Sequence, residues 1–438
     1  MALTRRTLLT LGGGLAATTA LAACGSNTGR TAAPSASPAG TPAATPSGTP
    51  DPDAGRPALS QWYHKYGEDG VEAAVKKWAA EYPGAEVNVN WVLADYEKTL
   101  AAALLTPTAP DVFEYANGPT LDMIKAGQVA DLTDTIGSSR GDFTPSVLDR
   151  LTYQDKVWAV PQTVDMQLLY YRKDLLEAKN LTAPTTLEQL THVATTLAEG
   201  GDIGGFFAGN DGGIGVLGLL LMWAAGADEM NEARTEAAFN TGDFHAGIAQ
   251  FKQLFDSPGM VKSASADWSD ASPFINGEAA LQWGGMWDLP KVIAAHGENF
   301  GVLPFPAIGG SGRQVVPFGA FSACVSAKSA NVTAAKNFVK WLWIDAEDKQ
   351  VEFSDAFGTH IPAKPKLFGQ AKQVAEGPGA DAAKFVTDHG RSNALFWTPA
   401  SGEAYSTALS NVVKNGADAA TEFGAAAEKV TAELARVA

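Results

Sequence analysis

From Pro57 onward the chain switches repeatedly between two apolar periods. Val71, Val75, Trp78, Ala79 and Tyr82 recur three or four positions apart, which predicts a helix with one buried face, and Pro83-Gly84 stops it. Val87, Val89 and Trp91 then alternate with Asn88 and Asn90, the period of a strand with one face in a core. Helical spacing returns at Tyr96, Leu100 and Leu104, and Asp111 to Tyr115 reads as a short strand after Pro110. Thr185, with Glu188 three positions on, has the form of a capping box that opens a helix running to about Ala198. Ala335, Phe338, Val339 and Leu342 mark a further helix. Strands and helices alternating at this spacing predict an α/β fold with parallel sheets. Ligands of such sheets bind beyond the carboxyl ends of the strands. The body, from about residue 57 to 438, is long for one core and suits two lobes.

A different pattern opens the chain. Arg5-Arg6 precedes an apolar run from Leu8 to Leu21, and Ala22-Ala23-Cys24-Gly25 follows. A positive start, a short apolar stretch and small residues before a cut site make an export signal. The run is too short and too rich in Gly and Ala for a membrane-spanning helix. Thr4-Arg5-Arg6-Thr7-Leu8-Leu9 has the form of a twin-arginine address. Leu21-Ala22-Ala23-Cys24 resembles the lipobox of bacterial lipoproteins, which implies that Cys24 carries a diacylglycerol and begins the mature chain. Residues 1–24 are therefore expected to be a signal peptide with its lipobox, leaving the protein lipid-anchored on the extracellular face of the membrane. Residues 25–56 are rich in Gly, Ala, Ser, Thr and Pro and hold no aromatic or large aliphatic side chain. Such a segment buries too little to offset chain entropy, so a disordered linker is expected, long enough to reach several tens of ångströms.

Charge and cysteine content narrow the chemistry. The formal net charge is −16; losing Arg5 and Arg6 leaves 30 basic against 48 acidic residues, or −18. That surface argues against nucleic acid or anionic headgroups as partners. With Cys24 used by the lipid, Cys324 is left alone, so neither an intramolecular disulfide nor a cysteine metal site is expected. Cys324 lies in the strand-like run Ala320 to Ser326 and reads as a small buried hydrophobe. The six histidines, at 64, 192, 245, 296, 360 and 389, form no ligand pair at helical or strand spacing, so no metal is expected, and no motif calls for a cofactor.

Four stretches in order carry a family resemblance. Pro110-Asp111-Val112-Phe113 is similar to a "PDV" strand that precedes a ligand loop. Val157-Trp158-Ala159-Val160-Pro161 with Leu168 to Leu175 resembles "YAVP…LYYNKDLF", and Pro184 to Leu190 is close to "P.TWEEL". Phe274 to Ala280 with Gly284-Gly285-Met286-Trp287 is similar to "F..GKAAM…G.W", and Phe318-Gly319-Ala320-Phe321 to a glycine step before a strand. Together they resemble the extracellular solute-binding proteins of ABC importers, in the sugar-binding group that includes maltose-binding protein. Arg172 stands where Asn is usual and Leu187 where Trp is usual. The resemblance implies two α/β lobes, each discontinuous in sequence and joined by a hinge. Lobe one is expected at 57–163 and 302–328, lobe two at 164–301 and 329–438. The implied role is to trap a solute in the interlobe cleft and pass it to permease subunits in the membrane, with the protein acting as a monomer.

A sugar offers apolar C–H faces, which aromatic rings cover, and a rim of hydroxyls, which carboxylates and amides bind. Trp62, Tyr63 and His64 follow the first short strand, and Tyr115 and Asn117 follow the matched "PDV" strand. Asp165 sits just past the crossing motif, where relatives often place a hydroxyl-binding acid, and Trp287 fills the matched Gly-x-x-Trp position. Trp268, Phe318 and Trp397 join the candidates from loop-like surroundings. Trp78 and Trp341 lie on helical stripes and read as packing; Arg391 reads as solvated or salt-bridged. Asp165 has a second reading as a turn cap or a partner of Arg172, and Trp287 as a helix-packing residue. Two other functions fit parts of the pattern. One keeps the fold with a polyamine or other polar metabolite as ligand. The other is a lipid-anchored glycoside hydrolase, which needs two carboxylates flanking one bond. No Ser-His-Asp elbow, metal cluster or cofactor motif appears, so no enzyme is expected.

Overall fold

The computed structural model describes residues 55–93 and 95–438. The export signal, the Cys24 lipidation site and the linker up to residue 54 lie outside the described residues. Thirteen strands occur among the described residues: β1 (Ala58–His64), β2 (Glu86–Val92), β3 (Val112–Ala116), β4 (Thr152–Tyr153), β5 (Lys156–Val157), β6 (Val160–Arg172), β7 (Gly204–Phe207), β8 (Met260–Val261), β9 (Ala279–Gly285), β10 (Phe300–Leu303), β11 (Val316–Val325), β12 (Ile361–Pro362) and β13 (Gly390–Arg391). Strands β4 and β5 pair with each other, and the other eleven form one curled sheet in the order β2-β1-β3-β11-β6-β9-β7-β8. In that sheet β10 and β12 pair with β6, and β13 with β11.

The direction of the strands divides the sheet. At one end β1 runs parallel to β2 and β3, and at the other β7 runs parallel to β8 and β9. The centre is antiparallel: β11 on β3 and β6, and β9 and β10 on β6. The sheet is therefore mixed where sequence alternation predicts parallel pairing. Alternating strands and helices account for the two parallel ends, because a parallel neighbour needs a crossover connection. Of the central strands β6 has 13 residues, β11 10, β9 7 and β10 4, and β6 pairs with both sets of partners.

Strand β6 is the longest of these. Residues Val160 to Met166 pair with β11 and β12, while Gln167 to Arg172 pair with β9 and β10. Val160, Val164, Met166, Leu168, Leu169 and Tyr170 are all buried, an apolar content that suits a strand covered on both faces. Leu59, Tyr63, Trp78 and Phe353 share one core with Val164 of β6. Phe206, Phe239, Trp283 and Tyr405 share a second core with Leu169 of β6. A third joins Leu100, Phe113 and Cys324 with Val437.

Local elements follow the apolar stripes. Helix Val71–Glu81 buries Val71, Val75, Trp78 and Ala79. Helices Tyr96–Ala103 and Val332–Lys340 form on the other two stripes. The capping box falls one residue later than its sequence pattern places it. Thr186 Oγ1 accepts from Gln189 N at 3.2 Å, and Gln189 Oε1 accepts from Thr186 N at 3.2 Å. Burying Leu187, Leu190, Val193, Ala194 and Leu197 sets that phase. Segment 329–438 divides in its packing. Glu352 accepts from Trp78 Nε1 at 3.2 Å, beside β1, whereas helices Pro399–Asn415 and Ala419–Val437 contribute Tyr405 and Phe423 to the core around Phe239.

Candidate functional site

A cleft of about 850 Å³ opens at the seam of the sheet, within the range of about 300–1,000 Å³ usual for small-molecule sites. One wall is the loop after β1, with Glu68, and the residues ending β3, with Asn117. The floor is the β6–β11 pair, where Asp165 lies opposite Gly319 and Met166 opposite Phe318. The far wall carries Trp223, Trp268, Trp287 and Lys291. The segments after β1, β3 and β9 lie beyond strand ends, as the α/β pattern predicts, whereas the floor is made by residues inside the antiparallel strands β6 and β11.

Six of the ten sequence candidates line this cleft: His64, Asn117, Asp165, Trp268, Trp287 and Phe318. Trp62, Tyr63, Tyr115 and Trp397 lie elsewhere. The residues 62–64 belong to β1 itself, and side chains alternate along a strand. Tyr63 is fully buried in the first core, while Trp62 packs against the third. Tyr115 likewise packs on the third core from within β3, and Trp397 sits in the second core beside Phe239 and Tyr405. The burial of Tyr115 pushes its phenol up to about 12.

The site side chains are held by their neighbours. The Trp268 and Trp287 rings meet edge to face at 6.0 Å, and Trp287 Nε1 donates to Ser269 O at 3.0 Å. Asn117 has left-handed backbone, φ 60°, and its Oδ1 rests 1.5 Å from where a Cβ on Gly319 would lie, so only glycine admits it. The His64 ring stacks on Phe321 with centroids 4.4 Å apart. Its Nδ1 pairs with Glu114, a buried carboxylate that also accepts from His64 N at 2.7 Å and from Tyr66 Oη at 2.7 Å. Burial opposes protonation of His64, but Glu114, with Asp165 and Glu68 beyond it, raises its pKa overall.

Most charges in the cleft are matched inside the protein. Asp165 Oδ1 pairs with His360 Nδ1, whose Nε2 lies 3.4 Å from Glu68 Oε1. Burial alone would strip the proton from His360; the two carboxylates reverse this and lift its pKa to about 10. Lys291 Nζ donates to Asp288 Oδ1 at 2.9 Å. Burial raises the Asp288 carboxyl against the pull of Lys291, and Lys291 is itself raised by that partner despite desolvation. Arg391 is paired with Asp228 and has its guanidinium 5.7 Å from the Trp223 ring. The partner open to Asp165 in the sequence, Arg172, pairs instead with Asp174 at 2.6 Å. Among the described residues no group of three or more His, Cys, Asp or Glu side chains is placed to hold a metal ion.

Sequence reasoning missed Glu68, Trp223, Lys291 and His360. Glu68 had a local signal, the Gly67-Glu68-Asp69-Gly70 loop at the end of a strand. His360 had none: it meets Asp165 across 195 positions.

The model of the family described as "Bacterial extracellular solute-binding protein" matches residues 64–343. The maltodextrin-binding protein MdxE of Bacillus subtilis is 26% identical over 231 residues, 51% of this chain and 54% of that one. The diacetylchitobiose binding protein DasA of Streptomyces coelicolor is 23% identical over 253 residues, 56% of this chain and 59% of that one. The matched stretch thus spans just over half the length of each relative. An ABC transporter solute-binding protein from Thermotoga lettingae, solved with α-D-tagatose, aligns with a TM-score of 0.73 at 17% identity, covering 86% of this chain and all of that one. The shared fold is two α/β lobes around a cleft.

Proposed function

The chain belongs to the bacterial extracellular solute-binding proteins, and on that premise we propose that it is the substrate-binding lipoprotein of an ABC importer, capturing a sugar or oligosaccharide in its cleft and delivering it to a membrane permease. The observation that carries this reading is the pairing of aromatic platforms with neutralised carboxylates. Trp268 and Trp287, both half-buried, offer rings for apolar sugar faces, and Asn117 and Asp165 offer an amide and a carboxylate for hydroxyls. A polyamine site would leave its acids free to meet the ligand's charge. Here Asp165, Glu68 and Asp288 face His360 or Lys291. The names of MdxE and DasA, both oligosaccharide-binding proteins, support the same class. We read the protein as a binder and not an enzyme.

In this proposal the two halves of the sheet are lobes that close over the sugar, with hinges near residues 163–165 and 302–306. Cys24 ties the protein by lipid to the outer face of the membrane, and the linker holds the body away from it. A single acyl chain holds a protein only marginally, while two hold it firmly. Cys24→Ala should therefore release the protein to the medium; retention in the membrane fraction, with no lipid mass on wild-type Cys24, would remove the anchor from the proposal. The ligand reading is tested by calorimetry and tryptophan fluorescence on the purified protein with maltotriose, diacetylchitobiose and D-tagatose, with spermidine as control. Saturable sugar binding, with compaction in small-angle scattering, is expected. Binding of spermidine alone would overturn it.

A further inference from the structure

The cleft floor holds a group to which the sugar-binding reading gives charge balance and nothing more. His360 is 2% exposed and precedes β12, whose Ile361 pairs with Val164 of β6. That register sets the imidazole beside Asp165, the next residue along β6. Nδ1 is bound to Asp165 Oδ1, and Nε2, aimed at Glu68 Oε1 from 3.4 Å, makes no hydrogen bond among the described residues. Asp165 Oδ2 makes no hydrogen bond to another described residue, and Asp165, Glu68 and His360 all line the cleft. One imidazole thus lies between two carboxylates that reach it from different elements, the traverse β6 and the loop after β1.

We propose that His360 is a positioning residue for ligand capture, which fixes one oxygen of Asp165 so that the other is turned to receive a ligand hydroxyl, and which keeps Glu68 drawn to the same side of the cleft. The proposal rests on the sugar reading of the cleft. Its physical basis is preorganisation. A carboxylate free to rotate loses side-chain entropy when a hydroxyl docks, whereas a fixed one has already lost it. The imidazole also offsets part of the negative charge that Asp165 and Glu68 would otherwise press on each other, which favours a neutral polyol over a cation. The charged groups that act on His360 are Asp165 on β6 and Glu68 in the loop after β1; the same two carboxylates also act on His64 at the end of β1, and Glu68 on Lys291 of the helix Leu289–His296.

Two variants separate positioning from packing. His360→Asn keeps a side-chain N–H near the place of Nδ1; His360→Leu removes every donor. His360→Leu should weaken maltotriose or diacetylchitobiose binding, whichever wild type binds, by about tenfold or more, the loss expected for a hydrogen bond to a charged group. His360→Asn should stay within about threefold of wild type. Asp165→Asn should weaken binding too, and adding His360→Leu to it should cost little more, because both act through one oxygen. A packing role alone would lower the melting temperature of both His360 variants and leave binding additive. Wild-type affinity in the folded His360→Leu variant, or full additivity with Asp165→Asn, would overturn the proposal. A ligand-free measurement keeps it apart from the sugar reading. ¹⁵N-labelled imidazole spectra should show His360 doubly protonated at pH 8 and losing that state in Asp165→Asn. If no sugar binds wild type, the sugar reading falls, and a His360 whose Nδ1 carries no proton, and so cannot donate to Asp165, would overturn the clamp by itself.

Discussion

Gly285 makes the position of Trp287 depend on a missing atom. A Cβ there would lie 2.1 Å from the Trp287 ring, so Gly285→Ala must displace the ring from Ser269 O. We expect Gly285→Ala and Trp287→Ala to weaken sugar binding similarly, on the order of 1–3 kcal/mol, by loss of the apolar platform. The double variant should be no weaker than Trp287→Ala. Calorimetric titration of the three proteins checks this, and a Gly285→Ala protein with full affinity would place the platform elsewhere. His360 gives a second expectation, this time in pH. Its folded pKa, about 10, stands above the ordinary imidazole value near 6.5. The folded state therefore binds more protons between these values, and stability falls as pH rises through them. Melting temperature should drop from pH 7 to pH 10, and less so in His360→Leu. At this scale the sequence exposed what neighbours in the chain decide. Trp287 follows Gly284-Gly285-Met286, and Asn117 follows its strand within a residue, so both could be named. Tyr63 and Tyr115 lie within β1 and β3 and not after them, and a strand end displaced by one or two positions turns a side chain from cleft to core. The His360–Asp165 contact depends on tertiary register and leaves no local trace.

Among the elements, helix Leu187–Ala198 shows where a reading of stripes stops. Its capping box and its end were legible, but its start slipped from Thr185 to Thr186, because two adjacent threonines offer the same cap and only packing chooses. Thr186→Ala should cost on the order of 1 kcal/mol of stability, read by denaturant titration, with sugar affinity unchanged. Thr185→Ala should cost less, since Thr185 N and Oγ1 meet only the Gln189 side chain. The antiparallel traverses were not legible as such. An apolar run such as Val160 to Tyr170 reports burial on both faces but not the direction of its partners. Burial also decides the one free thiol among the described residues. Cys324, enclosed in β11, has its pKa raised by desolvation above all. Maleimide should therefore label it in unfolded protein and hardly at all in folded protein.

For the whole molecule, the resemblance carried two lobes and a cleft, while the division of 329–438 between two cores was beyond it, since contacts such as Trp78 with Glu352 join positions 274 residues apart. The last turn of helix Ala419–Val437 makes the same point. Arg436 donates to both oxygens of Asp122 at 3.0 Å, and Val437 is buried with Phe113 and Cys324, although the rest of the helix builds on the second core. Strand β6 has a deeper consequence. The two halves divide one strand between them, so neither has a complete sheet by itself. Opening either half strips hydrogen-bond partners from backbone that the other needs. The body should then unfold as one cooperative unit: a single calorimetric transition, with the amides of Val164 to Tyr170 exchanging with deuterium only through global opening. Two transitions, with those amides exchanging in the earlier one, would make the halves independent folding units. A chain cut between Met166 and Gln167 would in turn present an unsatisfied strand end from each half, each a template for aggregation.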